Sequence, residues 1–156
     1  MINTVMLTPN RRQALSLGFG AVGAVVLSGP IAPAYAENNA QELIRQFTGG
    51  KRPAQGKVKL DLPDVAENGN TVRMAVLVES PMTERAHVTD VLVVADGNSR
   101  GGVATFHFSP ASGAARVMTR IRLGSMQNVI AVAKMNDGSC YMTSKRVKVA
   151  LGGCCD

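Results

Sequence analysis

Tryptophan is absent, and the chain has only two tyrosines and four phenylalanines. Beyond residue 36 the aromatics are Phe47, Phe106, Phe108 and Tyr141. Single-stranded nucleic acid is held largely by stacking on aromatic side chains, so this composition argues against a nucleic-acid groove. Histidine is nearly as scarce. His87 and His107 fall on separate elements, and neither has a neighbour at ligand spacing. Asp61, Asp64 and Glu67 sit at a strand end and a turn, where acidic residues are ordinary. Gly97, Gly101 and Gly102 are too loosely spaced for a phosphate cradle. No metal site, cofactor or catalytic constellation is expected. A membrane span needs about 20 strongly apolar residues. The longest apolar stretch, Ala14 to Leu27, is shorter and rich in glycine, so no membrane partner is expected.

Charge is scarce at the start of the chain. Arg11 and Arg12 are the only charged residues in the first 36. They precede the apolar stretch, and Ala34-Tyr35-Ala36 is a small-x-small cleavage site. Residues 1–36 are therefore expected to be an export signal, with the mature chain starting at Glu37. Asn10-Arg11-Arg12-Gln13-Ala14-Leu15 resembles a twin-arginine signal, although Ala14 stands where phenylalanine is usual. Removing the two arginines reduces the formal net charge from +6 to +4. A field of that size favours small anions or an acidic protein partner.

The mature region reads as one domain over residues 37–150. Ala40 to Phe47 puts Leu43, Ile44 and Phe47 on one helical face, with Asn38 or Asn39 as cap and Gly49-Gly50 as terminator. Seven strand segments follow, largely of period two, with a continuous apolar run at Val91-Leu92-Val93-Val94 that fits a central strand. They are Val58–Leu62, Val72–Val78, Val88–Ala95, Val103–Phe108, Val117–Leu123, Asn128–Met135 and Ser139–Val149. Glu67-Asn68-Gly69-Asn70 reads as a turn, and Asp137-Gly138 is the strongest hairpin signal. This predicts an all-β, immunoglobulin-like antiparallel sandwich of about seven strands with a short N-terminal helix. An open barrel is the alternative. Arg116, Arg120 and Arg122 form a basic stripe on one strand face.

Only three cysteines are present: Cys140, Cys154 and Cys155. An odd count in an exported chain leaves a thiol unpaired or paired elsewhere. Cys140 follows the hairpin turn and reads as a buried, unreactive thiol. The other two close the segment Leu151-Gly152-Gly153-Cys154-Cys155-Asp156. Two glycines remove the side chains that would hold the backbone. Residues 151–156 are thus expected to be a flexible arm, with a reach of roughly 17–20 Å. If the arm folds back, Lys145, Arg146 and Lys148 on the preceding strand would favour a Cys154 thiolate, whereas Asp156 would oppose it.

Motifs along the whole chain resemble the SoxY family, the sulfur-carrying subunits of the periplasmic thiosulfate-oxidising (Sox) system. They begin with the twin-arginine-like signal and Gln46-Phe47-Thr48-Gly49-Gly50. Leu60-Asp61-Leu62-Pro63, Ala66-Glu67-Asn68-Gly69-Asn70-Thr71-Val72, Ser80-Pro81-Met82-Thr83-Glu84 and Ala95-Asp96-Gly97-Asn98 follow. Val103-Ala104-Thr105-Phe106-His107-Phe108, Thr119-Arg120-Ile121-Arg122-Leu123 and Gln127-Asn128-Val129-Ile130-Ala131-Val132-Ala133 complete the set.

The resemblance implies a periplasmic covalent carrier and not an enzyme. It implies a heterodimer with a SoxZ-like small β protein. It further implies a c-type cytochrome that couples thiosulfate to the carrier cysteine, and a hydrolase that releases sulfate. Gly152 and Gly153 match the family's glycine-cysteine arm, so Cys154 inherits the carrier role. Two departures stand out. Cys155 and Asp156 occupy positions where the family has glycines, which makes Cys155 a possible modulating thiol. Cys140 stands where an aromatic is more usual. The alternative function is a periplasmic metal-binding or redox-sensing module built on the Cys154-Cys155 pair.

Overall fold

The computed structural model of the protein describes residues 38–151. The leader assigned to residues 1–36 and the arm from Gly152 onward lie outside the described residues. Helix α1 (Ala40–Thr48) is followed by β1 (Ala54–Gln55), β2 (Val58–Asp61), β3 (Val65–Asn68), β4 (Val72–Val78) and β5 (Val88–Ala95). Strands β6 (Gly102–His107), β7 (Ala115–Ile121), β8 (Gln127–Met135) and β9 (Cys140–Leu151) complete the chain. One sheet has the order β1-β9-β8-β5-β6, with β3 also paired to β9. The other has the order β2-β4-β7. The fold is the expected immunoglobulin-like sandwich.

Periodicity explains the layers. In β4, Val72, Met74, Val76 and Val78 are buried, while Arg73 and Leu77 are exposed. They meet Leu123, Val129, Ala131 and Val147 between the sheets. Strand β5 reads as a continuous apolar run because the larger sheet is covered on both faces. Val91 and Val93 enter the inter-sheet core. Leu92 and Val94 pack on the other side with Ala40, Ile44, Ile130 and Val132, beneath α1. The helix is set at its start by Asn38, whose Oδ1 accepts the Ala40 N–H at 2.9 Å. It stops where Gly49 takes φ 63°, and the Gly50 N–H returns to the Arg45 carbonyl at 2.9 Å.

All seven expected strands are present, each within two residues of its expected bounds. Two more exist, and both run parallel to β9. Ala54 and Gln55 pair with Tyr141 and Met142. Val65, Ala66 and Asn68 pair with Lys148, Val149 and Leu151. Glu67 and Asn68 thus belong to a strand, and the turn begins only at Gly69. These pieces carry almost no period-two signal. In β3 only Ala66 is buried. Their strand character comes from the long edge of β9 and not from local preference.

Candidate functional site

The expected site residues Gly152, Gly153, Cys154 and Cys155 lie outside the described residues. Within the described residues lies the platform from which that segment starts. Strand β9 is 12 residues long, and several bonds fix its last third. The Lys148 N–H donates to the Asp64 carbonyl at 2.9 Å, and the Gly69 N–H donates to the Leu151 carbonyl at 2.8 Å. The Lys145 ammonium donates to the Leu62 carbonyl at 2.5 Å and pairs with Asp64 Oδ1 at 3.0 Å. Gly69 also accepts the Leu123 N–H at 2.7 Å. The strand end therefore sits between the loop after β2 and the end of β7.

The charged side chains of this platform are not equally available. Lys145, one of three basic residues that could favour a Cys154 thiolate if the arm folds back, is half-buried, pairs with Asp64 and donates to the Leu62 carbonyl. Arg146 and Lys148 remain exposed on the strand. The basic stripe is present, with Arg116 and Arg120 exposed on β7 and Arg122 just past its end. Sequence reasoning missed a fourth member. Arg73 on β4 is the register partner of Arg120. The signal was available in the alternation of β4, where Arg73 and Leu77 fall on the outward side. Joining it to Arg120 needed the pairing of β4 with β7.

Cys140 is a free thiol, 7 % exposed, at the opposite end of β9. Burial pushes its pKa above the ordinary value, and the nearby Lys134 and Lys51 only partly oppose this. Its Sγ lies 4.0 Å from the Gly138 carbonyl oxygen. Eleven residue steps of strand separate Cys140 from Leu151, roughly 36 Å. That exceeds the reach of a five-residue segment starting at Leu151. Cys140 therefore cannot pair with Cys154 or Cys155 of the same folded chain.

The two histidines lie apart, each with its own polar partner. His107 Nδ1 sits 2.6 Å from Asp90 Oδ1, and His87 Nδ1 sits 3.0 Å from the Thr83 carbonyl oxygen. Among the described residues, no group of three or more His, Cys, Asp or Glu side chains comes together in a way that could hold a metal ion. No helix among the described residues is long and apolar enough to cross a membrane.

Comparison with solved structures finds the same fold in several proteins. The sulfur carrier protein SoxY from Chlorobium limicola f thiosulfatophilum matches with a TM-score of 0.58 and 24% identity, covering 70% of this chain and 94% of that one. A superoxide reductase (neelaredoxin) from Ignicoccus hospitalis matches with a TM-score of 0.55 and 15% identity, covering 60% and 80%. A putative superoxide reductase from Thermotoga maritima matches at 0.51 and 20%, covering 66% and 89%. These likenesses establish the fold alone. No curated protein matches the chain at a significant level. The family model of the sulfur oxidation protein SoxY, however, matches residues 44–154, which is most of the chain and includes every strand described above. The chain belongs to the SoxY family of sulfur oxidation proteins.

Proposed function

We propose that the protein is a sulfur carrier that holds thiosulfate-derived intermediates covalently on Cys154. One observation carries this reading: the family match runs to residue 154, so Cys154 lies inside it. The platform supports it, because β9 is pinned by β3 up to Leu151 and the glycine pair follows immediately. A fixed origin with a glycine leash lets several enzymes reach one sulfur while the intermediate stays attached.

The chemistry balances as follows. The Cys154 thiol and thiosulfate lose two electrons in total to a c-type cytochrome partner. One proton leaves, and a bond forms between Sγ and the sulfane sulfur of thiosulfate. The product is a cysteine S-thiosulfonate that keeps one negative charge. Water then attacks the sulfonate sulfur in a hydrolase partner. The sulfur–sulfur bond breaks, sulfate and a proton depart, and a persulfide remains on Cys154. The protein itself supplies the attachment point and no catalytic group. A SoxZ-like small β protein is proposed as its heterodimer partner, and the periplasm as its compartment after export by the twin-arginine route.

Intact-mass spectrometry tests this on protein taken from its native periplasm without reductant. Thiosulfonate or added sulfur atoms, removed by reductant and mapped to Cys154, are expected. A chain two hydrogens lighter than the reduced form and free of adducts would overturn the carrier reading. It would favour a closed Cys154–Cys155 disulfide with a redox role.

A further inference from the structure

On the outward face of β4 and β7, Arg73 and Arg120 have no ion-pair partner among the described residues. Arg73 and Arg120 are register partners and both are exposed. Residues directly opposite on antiparallel strands share a face, with Cβ atoms about 4.5–5.5 Å apart, and like charges there are destabilising. Among the described residues, the ion pairs join Arg45 to Glu42, Lys59 to Glu79, His107 to Asp90 and Lys145 to Asp64. None reaches Arg73 or Arg120. Asp61, on the same sheet, pairs in register with Ala75 and lies one diagonal step from Arg73.

The two arginines, with Met118 and Thr119, line an open concavity of about 440 Å³. Among the described residues, no acidic side chain stands in its wall. A second concavity of about 370 Å³ at the β8–β9 hairpin has Lys51 and Arg52 in its wall, but Asp137 stands beside them. Two guanidinium forks in one acid-free hollow offer paired N–H donors to an anion with several oxygens.

We infer that Arg73 and Arg120 form a binding site for a sulfur oxyanion that bears an SO₃ group. Its position relates it to the arm. The Gly69 N–H binds the Leu151 carbonyl, and the Gly69 carbonyl binds the Leu123 N–H. Arg73 follows Gly69 by four residues and Arg120 precedes Leu123 by three. Both arginines thus lie within about 10–14 Å of chain from the origin of the arm. An SO₃ group attached near the end of the arm has the reach to arrive there. Short tethers give effective concentrations in the millimolar range, so a site with millimolar affinity suffices to hold tethered cargo. The oxyanion site stands without the carrier reading; only its tethered source rests on it.

The test uses the full chain labelled for amide NMR. Sodium thiosulfate and sodium sulfate are titrated against sodium chloride at matched ionic strength. Saturable shifts at Arg73, Met118, Thr119 and Arg120 are expected, with a dissociation constant in the millimolar range. Affinity should fall at least tenfold in Arg73→Gln and in Arg120→Gln, and remain within twofold in Arg116→Gln. Non-saturating shifts equal to those with chloride would overturn the site.

The source is resolved on a chain carrying Cys140→Ser and Cys155→Ser. Tetrathionate treats the remaining Cys154 thiolate, which attacks one central sulfur, forms the S-thiosulfonate and expels thiosulfate. If the same four amides shift in the conjugate without added anion, the site takes tethered cargo. If they shift only with dissolved anion, the site stands for free oxyanions. If Cys154 accepts no adduct in the native periplasm while the titration still saturates, the carrier reading fails and the oxyanion site survives.

Discussion

The Gly69 N–H donates to the Leu151 carbonyl at 2.8 Å, which fastens the last described residue of β9 to the turn that follows β3. Through its own carbonyl, Gly69 also holds Leu123. One buried glycine thus ties the end of β9 to the end of β7. This makes the position of Leu151 a property of the tertiary fold and not of its local sequence.

Detaching β3 should therefore release the end of β9 without unfolding the sandwich. Ala66 is 5 % exposed and packs into the core. Ala66→Asp would bury a carboxylate with no partner and should destabilise the protein by about 2–4 kcal/mol. Amide exchange at Lys148, whose N–H donates to the Asp64 carbonyl, should accelerate far more than exchange at Val93 in the centre of the sheet. Equal acceleration at both sites would show that β3 is no separate clamp.

The Arg73–Arg120 pair makes a prediction of opposite sign. Arg120→Glu replaces a like-charged pair with an attractive one and should raise stability by about 0.2–1 kcal/mol. Urea denaturation at low ionic strength measures this, and added salt should reduce the gain. A loss of stability would mean that Arg120 makes a favourable contact elsewhere.

The core between the sheets is dense at Met74, which is 0 % exposed. Met74→Ala should cost about 2–5 kcal/mol, because it removes transfer free energy and leaves a cavity between facing strands. Leu77→Ala, one turn of the pleat away and 37 % exposed, should cost under about 1 kcal/mol. Chemical denaturation of the two variants gives the contrast directly.

Cys140 titrates in the direction set by burial. Its thiol pKa is raised in the folded chain, so the folded state binds that proton more tightly than the unfolded state. The resulting stability is fully present below the ordinary thiol value of 9.0 and is lost as pH rises past it toward the folded value. Cys140→Ala should remove this part of the alkaline fall in stability. Iodoacetamide at pH 8 should alkylate Cys140 at least tenfold more slowly in the folded protein than in urea.

Alternation along β4 and β7, the helix with its glycine stop, and the Asp137-Gly138 hairpin were legible because each is a local pattern. The parallel pieces β1 and β3 were not. Val65-Ala66-Glu67-Asn68 becomes a strand only because β9 offers it unpaired backbone. The same holds for the site. Arg116 and Arg120 share a strand and could be read together, whereas Arg73 lies 47 residues earlier and joins them only through register. The contacts of Lys145 were hidden for the same reason: its partners Leu62 and Asp64 come from another strand's end.

The departure at the tip gives the last prediction, which rests on the carrier reading. Cys155 directly follows Cys154. In a conjugate carrying S-thiosulfonate on Cys154, the Cys155 thiolate attacks the Cys154 sulfur. A disulfide forms between neighbours, and thiosulfate departs with the electron pair of the broken bond. No external oxidant or reductant is required. Thiol–disulfide exchange speeds up with the thiolate fraction of the attacking sulfur, so release should accelerate as pH rises toward the Cys155 pKa. Cys155→Gly removes the attacking group and should lengthen the conjugate lifetime at pH 8 by at least tenfold. It should also abolish the pH dependence. The measurement is intact mass against time on conjugate prepared with tetrathionate in a Cys140→Ser background. Equal lifetimes for Cys155 and Cys155→Gly would eliminate self-release, and the second cysteine would then need a different role.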